Sequence, residues 1–215
     1  MNIAKPIIGN TETINDSTKI DEIFNKAITE EEDIIDKEIT NYINTIDAYK
    51  IDISKSKFTN CKCINSNFER AYLSDIIFED CDFSNTNFTE ASLTRVTFIN
   101  CKLVGCNFTN AILYNTYIKD TSARYINFNT ATLKEVECTN TNLEYSNLEE
   151  LHIHNIEFNT CNLLCANLFD TKLKGIDFTS SNIEAVVVKI EDLKGAIVSE
   201  LQAIDLAKLL GVIIK

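Results

Sequence analysis

The chain has 215 residues, with 32 Asp and Glu against 20 Lys and Arg and a net charge of −12. It therefore lacks the basic surface that a protein coating nucleic acid needs. A single Pro and 5 Gly exclude collagen-like and Pro/Gly-rich disordered classes, while 45% hydrophobic residues suffice for a buried core in one domain with a short appendage.

From the N-terminus, Met1-Asn2-Ile3-Ala4-Lys5-Pro6 has no apolar stretch of signal-peptide length. The longest apolar runs, such as Ala185–Val188 and Leu209–Ile214, fall far short of the ~20 residues that span a bilayer. The reading is a cytoplasmic protein with no membrane contact, and its 8 Cys are expected to be thiols. Residues 1–50 form an acidic N-terminal cap region. Asp16 or Ser17 caps a short helix containing Ile20, Ile23, Phe24 and Ile28, and Ile35, Ile39, Tyr42, Ile43 and Ile46 have the spacing of a second. The alternative is early, degenerate repeat, because Ile43 and Ala48 keep the five-residue phase of the chain beyond residue 50.

From residue 51 the chain repeats in fives. Every fifth residue from Ile53 to Val198 (Phe58, Cys63, Phe68, Leu73, Phe78 and onward) is apolar, without a slip. Five is the period of neither an α-helix nor an ordinary strand. The residue two before each centre is nearly always small or β-branched, as in Cys61, Ser66, Ala71 and Ile76, and a polar residue, often Asn or Asp, sits between. Alternation points the flanking pair inward and the middle residue outward, which leaves two residues to turn the chain. Four such segments close a coil of 20 residues, and stacked coils make a four-sided all-β solenoid.

The 20-residue register supports this. Leu73, Leu93, Leu113, Leu133, Ile153, Leu173 and Leu193 form one column, and Phe68, Phe88, Phe108 and Phe128 another. Outside, Asn67, Asn87, Asn107, Asn127, Asn147 and Asn167 form a six-rung ladder of stacked amides. Residues 51–198 amount to about seven coils and a rod of roughly 35 Å. Ala123, the smallest of the centres, marks a place where the coil is expected to pinch or bend.

Beyond the repeat, Ser199 is placed to cap a helix running to about Leu210, with Gly211 as its stop. Its Leu201, Ile204, Leu206, Leu209 and Leu210, with Val212 after it, are more apolar surface than one end cap requires.

These features resemble the pentapeptide repeat family and its A(D/N)LXX pattern. The matching segments include Cys106-Asn107-Phe108-Thr109-Asn110, Ala166-Asn167-Leu168-Phe169-Asp170 and Ser181-Asn182-Ile183-Glu184-Ala185. The resemblance covers about two thirds of the chain and implies a right-handed quadrilateral β-helix over 51–198, with a C-terminal helix and dimerisation segment at 199–215. The tail from Leu193 to Ile214 is similar to that of the quinolone-resistance (Qnr-like) members. These imitate DNA in size and charge, dimerise through the C-terminus and bind DNA gyrase or topoisomerase IV. The resemblance thus implies a homodimer interface at Leu201, Ile204, Leu206, Leu209, Leu210 and Val212, and a type II topoisomerase as partner. The unbroken phase leaves no room for the projecting loops of some members.

The chemistry-bearing residues point away from catalysis. Seven of the 8 Cys fall on inward positions as core filler, and only Cys165 faces out. His152-x-His154 faces out with no third ligand at metal-site spacing. No phosphate loop or catalytic dyad is present, and a filled rod has no cleft for acid–base work. No catalytic residue, metal or cofactor is assigned. The acids are unevenly placed. The side centred on Phe58, Phe78 and Phe98 carries Glu79, Asp80, Asp120, Glu137, Glu157 and Asp177 against Lys57 and Lys119. The Phe68 side is also negative, the Cys63 side balanced and the Leu73 side slightly positive. The leading functional expectation is a non-enzymatic DNA mimic that presents this acidic side to a topoisomerase and modulates quinolone sensitivity, without touching nucleic acid itself. The alternative is a structural or adaptor rod whose partner is unrelated to DNA.

Overall fold

The structure is a computed structural model that describes residues 3–213. Strand β1 (Glu12–Ile14) and helix α1 (Ser17–Thr29) precede β2 (Ile34–Ile35) and β3 (Lys37–Thr40). Five eight-residue strands come next: β4 (Asp52–Thr59), β5 (Tyr72–Glu79), β6 (Ser92–Ile99), β7 (Ile112–Lys119) and β8 (Thr132–Thr139). The short β9 (His152–Ile153) and β10 (Ile156–Asn159) complete one parallel sheet, in the order β1-β3-β4-β5-β6-β7-β8-β10, with β2 on β4 and β9 on β8. From β4 onward each residue pairs with the one 20 further along, as in Leu73 with Leu93 and Phe78 with Phe98. The chain is the coiled solenoid that its five-residue period predicts.

The four sides are built differently. Two adjacent sides are true strands, because each of β4–β8 bends round a corner in mid-strand. The other two meet the next coil through single bridges, Lys62 to Asp82 to Lys102 on one and Asn67 to Asn87 to Asn107 on the other. Corners fall at every fifth residue, and nearly all adopt the left-handed conformation, including Asn60, Asn65, Asp75, Asp80, Asn100, Asn115 and Asp120. This explains the 25 Asn, since Asn and Asp enter that region more easily than other residues with a Cβ. A second Asn role lies between the inward pairs. Oδ1 of Asn67, Asn87, Asn107, Asn127, Asn147 and Asn167 each accepts from the backbone N–H two residues on, closing the turn. Their amides form a broken ladder: Asn87 donates to Asn67, Asn127 to Asn107 and Asn167 to Asn147, whereas Asn107 donates to Thr89 Oγ1.

The interior is filled by the predicted columns. Phe68, Phe88, Phe108 and Phe128 stack with ring centroids 4.6–5.3 Å apart, and Phe58, Phe78 and Phe98 do likewise at 5.0–5.2 Å. The small residues two before the centres hold successive coils together. Thr86, Cys106, Thr171 and Ser181 each donate to a backbone carbonyl 23 residues earlier, at 2.7–2.9 Å. The pinch expected at Ala123 is absent. Its partner inside the coil is Ile126 rather than a Ser or Thr, both are fully buried, and the bridges from Lys102 to Ser122 to Asn142 pass through unbroken. Small and large have exchanged places at constant volume.

The N-terminal region holds one helix rather than two. Asp16 caps α1 by accepting from the N–H groups of Thr18 and Lys19, and Ile20, Phe24 and Ala27 are buried. The second apolar face is coil, not helix: Ile34 pairs with Ile53 and Ile39 with Phe58, so repeat begins before residue 51. The offset there is 19, and it returns to 20 at Asp47 with Asn67. One residue is missing at the corner between Ile43 and Asp47. Everything upstream is therefore out of phase by one, which buries Ile34 and Ile39 and leaves the in-phase Ile43 67% exposed. At the other end, Ser199 caps α2 (Glu200–Ala207) in a capping box with Gln202, a 3-10 turn spans Lys208–Leu210, and Gly211 is left-handed at φ 74. Among the described residues no helix is long and apolar enough to cross a membrane.

Because corner Asn65 is exposed and left-handed (φ 54), Asn65→Val is expected to destabilise the fold by about 1–2 kcal/mol, and Asn65→Gly far less. Urea unfolding followed by circular dichroism reads the difference.

Candidate partner-binding surface

The acids of the Phe58 side lie in three outward columns. Glu137, Glu157 and Asp177 share one column, with Glu137 and Glu157 in direct register between β8 and β10. Glu79 lies in the second, next to Lys57 at 2.7 Å. Asp80 and Asp120 are left-handed corners in the third, each accepting from the Asn one rung on, Asn100 at 2.5 Å and Asn140 at 2.6 Å. Glu137 accepts from Thr139 Oγ1 at 2.9 Å, and Asn159 Nδ2 reaches both Glu137 and Glu157. Asp177 accepts from the N–H and Oγ1 of Thr179, and the hydroxyl bond first, then the backbone one, holds its carboxyl below the ordinary range. These carboxylates are therefore fixed in place by short polar neighbours rather than free to swing.

The six acids do not form one continuous patch. Between Glu79 and Glu137 the same columns carry Thr97, Ile99, Tyr117 and Lys119, with Ile77 on the rung of Glu79, and the N-terminal segment crosses this largely apolar middle. Residues 3–10 cross the rungs without forming a strand. The Ala4 N–H donates to Asn115 Oδ1 at 3.1 Å, and the Ile7 N–H to Asp75 Oδ1 at 2.9 Å. Ile3, Lys5 and Pro6 line a groove of about 470 Å³ with Ile77, Thr97, Ile99, Tyr117 and Glu137. Beneath this strap Asp75 takes a bidentate bond from Arg95, 2.6 Å to each oxygen. Nothing in the sequence marks the strap. Ile3, Pro6 and Ile7 have no periodicity, and their anchors lie 68 and 111 residues away.

Elsewhere opposite charges are paired from rung to rung. Arg70–Glu90, Asp75–Arg95, Asp82–Lys102, Arg124–Glu144 and Lys172–Asp192 all join residues 20 apart. One column of the Leu73 side is the exception, with Lys134, His154, Lys174 and Lys194 at equivalent positions on successive rungs. His152 and His154 are exposed there, and among the described residues no group of three or more His, Cys, Asp or Glu is arranged to hold a metal ion. Seven Cys are buried and Cys165 is half-buried, all as free thiols. Burial pushes the Cys106 thiol up to about 12 and that of Cys161 to about 11, so neither is a nucleophile at neutral pH.

The expected dimer residues sit at the C-terminal end. Leu201 is 77% exposed, and Ile204, Leu209, Leu210 and Val212 are exposed with it, whereas Leu206 packs on the core. Helix α2 buries none of its residues.

A sequence profile described as pentapeptide repeat region matches residues 51–98 and 91–168, more than half of the chain. The chain belongs to the pentapeptide repeat family. Among curated proteins no sequence matches it. Among solved structures, a trypsin-treated variant of QnrB1, described as a plasmid-mediated fluoroquinolone resistance protein, is 19% identical, with 85% of this chain and 99% of that one covered and a TM-score of 0.48. Full-length QnrB1 is 18% identical over 84% and 99%, with a TM-score of 0.42. HetL of the cyanobacterium Nostoc sp. strain PCC 7120, described as involved in heterocyst differentiation regulation, is 16% identical over 87% and 98%, with a TM-score of 0.32. Within a pentapeptide repeat the Asn or Asp between the inward pair has a structural task, closing the turn, so the family pattern itself supplies no binding residue. Binding has to be sought in the outward columns and at the ends.

Arg95, first by its hydrogen bond, holds the Asp75 carboxyl below its ordinary value of 3.8, with the Ile7 N–H assisting. A lowered carboxylate contributes stability above the ordinary value and loses it as the pH falls through the folded one. Unfolding titrations should therefore show stability falling below about pH 4, and Arg95→Met should flatten that part of the profile.

Proposed function

We propose that this pentapeptide repeat protein is a non-enzymatic binding protein. It presents its acidic side to a type II topoisomerase, DNA gyrase or topoisomerase IV, in place of DNA, and thereby modulates quinolone sensitivity. The supporting observation is the column Glu137, Glu157 and Asp177, with fixed carboxylates on successive rungs of a flat side. Rungs lie about 4.8 Å apart, against one phosphate per 3.4 Å of each strand in duplex DNA, so the spacing of charge approaches that of a single strand. A field of this kind steers the rod toward a basic groove. Pairing of two rods through α2 and the C-terminal end would extend the acidic surface, and the exposed Leu201, Ile204, Leu209, Leu210 and Val212 favour such a two-fold contact. A second reading, an adaptor rod with a partner unrelated to DNA, is favoured by the apolar break at Ile77, Ile99 and Tyr117 and by the basic column on the Leu73 side.

A gyrase supercoiling assay titrated with the protein, with and without a fluoroquinolone, separates the two. Inhibition or drug rescue at low micromolar protein is the expected result. The triple variant Glu79→Lys/Glu137→Lys/Glu157→Lys should raise the half-effective concentration at least about tenfold. A folded protein without effect in either arm supports the adaptor reading instead. For the pairing, Leu201→Glu/Leu210→Glu should halve the mass measured by light scattering while leaving the circular dichroism spectrum of the coils unchanged.

A further inference from the structure

We propose that the groove beneath the N-terminal strap is a binding site for an extended peptide carrying a basic residue among apolar ones, and that residues 3–10 are its resident, displaceable occupant. The inference concerns the same side of the rod as the proposed function but stands whether or not a topoisomerase is the partner.

The geometry is that of a recognition ladder. The strap runs along the solenoid axis, and its anchors Asp75 and Asn115 are equivalent corners two rungs apart. Two rungs span about 9.6 Å. Ala4 to Ile7 is three residues, which span about 10 Å when extended. The Ala4 and Ile7 N–H groups, three residues apart, thus meet acceptors on equivalent corners, in step with the coil. Ile3 and Pro6 line the groove together with Ile77, Ile99 and Tyr117, and Lys5 lines it with Glu137. An apolar floor with an acidic rim is the layout of an interface rather than of ordinary solvated surface.

The hold on the strap is light. Residues 3–10 form no strand, because they cross the rungs instead of lying along them. Ile7 is 67% exposed, and Lys5 is exposed as well. The corners beneath are otherwise complete: β5, β6 and β7 pair with one another and Asp75 keeps Arg95. Lifting the strap therefore breaks no coil and uncovers an apolar strip flanked by Glu79 and Glu137. A partner segment of the same chemistry takes over the two N–H bonds and the apolar contacts, so that binding is an exchange of one extended peptide for another.

The test uses a labelled synthetic peptide, Ile-Ala-Lys-Pro-Ile-Ile-Gly-Asn, with the full chain and with a variant lacking residues 1–10. Binding to the truncated chain at up to millimolar peptide is expected, with amide shifts at Asp75, Thr97, Asn115 and Tyr117, and binding at least about tenfold weaker to the full chain, whose own strap competes at millimolar effective concentration. A Lys-to-Glu change in the peptide should weaken binding severalfold at low salt. No shifts on the truncated chain, equal binding to both chains, or shifts elsewhere overturn the proposal. A full chain that pairs through exchanged straps, seen as a dimer that truncation abolishes, overturns partner displacement in favour of self-association. Should truncation unfold the protein, hydrogen exchange on the full chain decides: the Ala4 and Ile7 amides should exchange at least about a hundredfold faster than those of β6, and faster still in Asn115→Ala. Protection equal to that of β6 overturns the proposal.

Discussion

A left-handed residue at nearly every fifth position is the constraint on which this molecule depends. Ordinary backbone cannot turn a right angle every five residues and still offer its N–H and C=O groups to the next coil. The corner residue makes the turn, and the cost of that conformation is smallest for Asn, Asp and Gly. Where the corner is Lys55, Arg95, Tyr125 or Glu150 instead, the same φ persists, which means that rung-to-rung pairing on both sides outweighs the local penalty. Each coil templates the next, and stability spreads along the rod as a sum of neighbouring interfaces.

The same constraint disposes of the interior. Two inward side chains per side leave no room for a cavity, and the sizes are matched locally, as the exchange between Ala123 and Ile126 shows. Cysteine serves as filler that also donates weakly to carbonyls of the preceding coil, so the run of Cys61, Cys81 and Cys101 has neither a metal nor a redox reading. Chemistry is confined to columns of outward residues at a fixed pitch. Along a column the neighbours decide charge: five columns pair acid with base across one rung, while Glu137, Glu157 and Asp177 on one side and Lys134, His154, Lys174 and Lys194 on the next stack like with like. Stacked like charges gain nothing in folding, which makes these columns the places to look for partners.

The acidic side also shows how a regular scaffold acquires individuality. Its middle is apolar, and the chain covers it with its own N-terminus rather than with another coil. That covering uses the pitch of the ladder, since the strap meets equivalent corners two rungs apart, and it places Asp75 under both a guanidinium and a backbone N–H. Acidic columns, apolar strip and strap are therefore one surface, whose accessible part depends on where residues 3–10 lie.

The sequence by itself determined the coil. The period of five, the inward columns, the buried cysteines, the cap at Ser199 and the stop at Gly211 are all local or strictly periodic, so they can be read without coordinates. The first coil was legible only in part, because a one-residue deletion between Ile43 and Asp47 shifts its phase and makes Ile35, Ile39, Tyr42, Ile43 and Ile46 imitate a helical face. Tertiary structure alone decided the rest. Tertiary contacts decide which amides pair along the Asn ladder: Asn107 donates to the Thr89 hydroxyl, while Asn127 donates to both Asn107 and Thr109. The strap depends on contacts 68 and 111 residues apart, formed by backbone N–H groups of a segment that carries no period. The covering of the apolar middle follows from that strap, since only the folded chain brings residues 3–10 across the side that bears the acids.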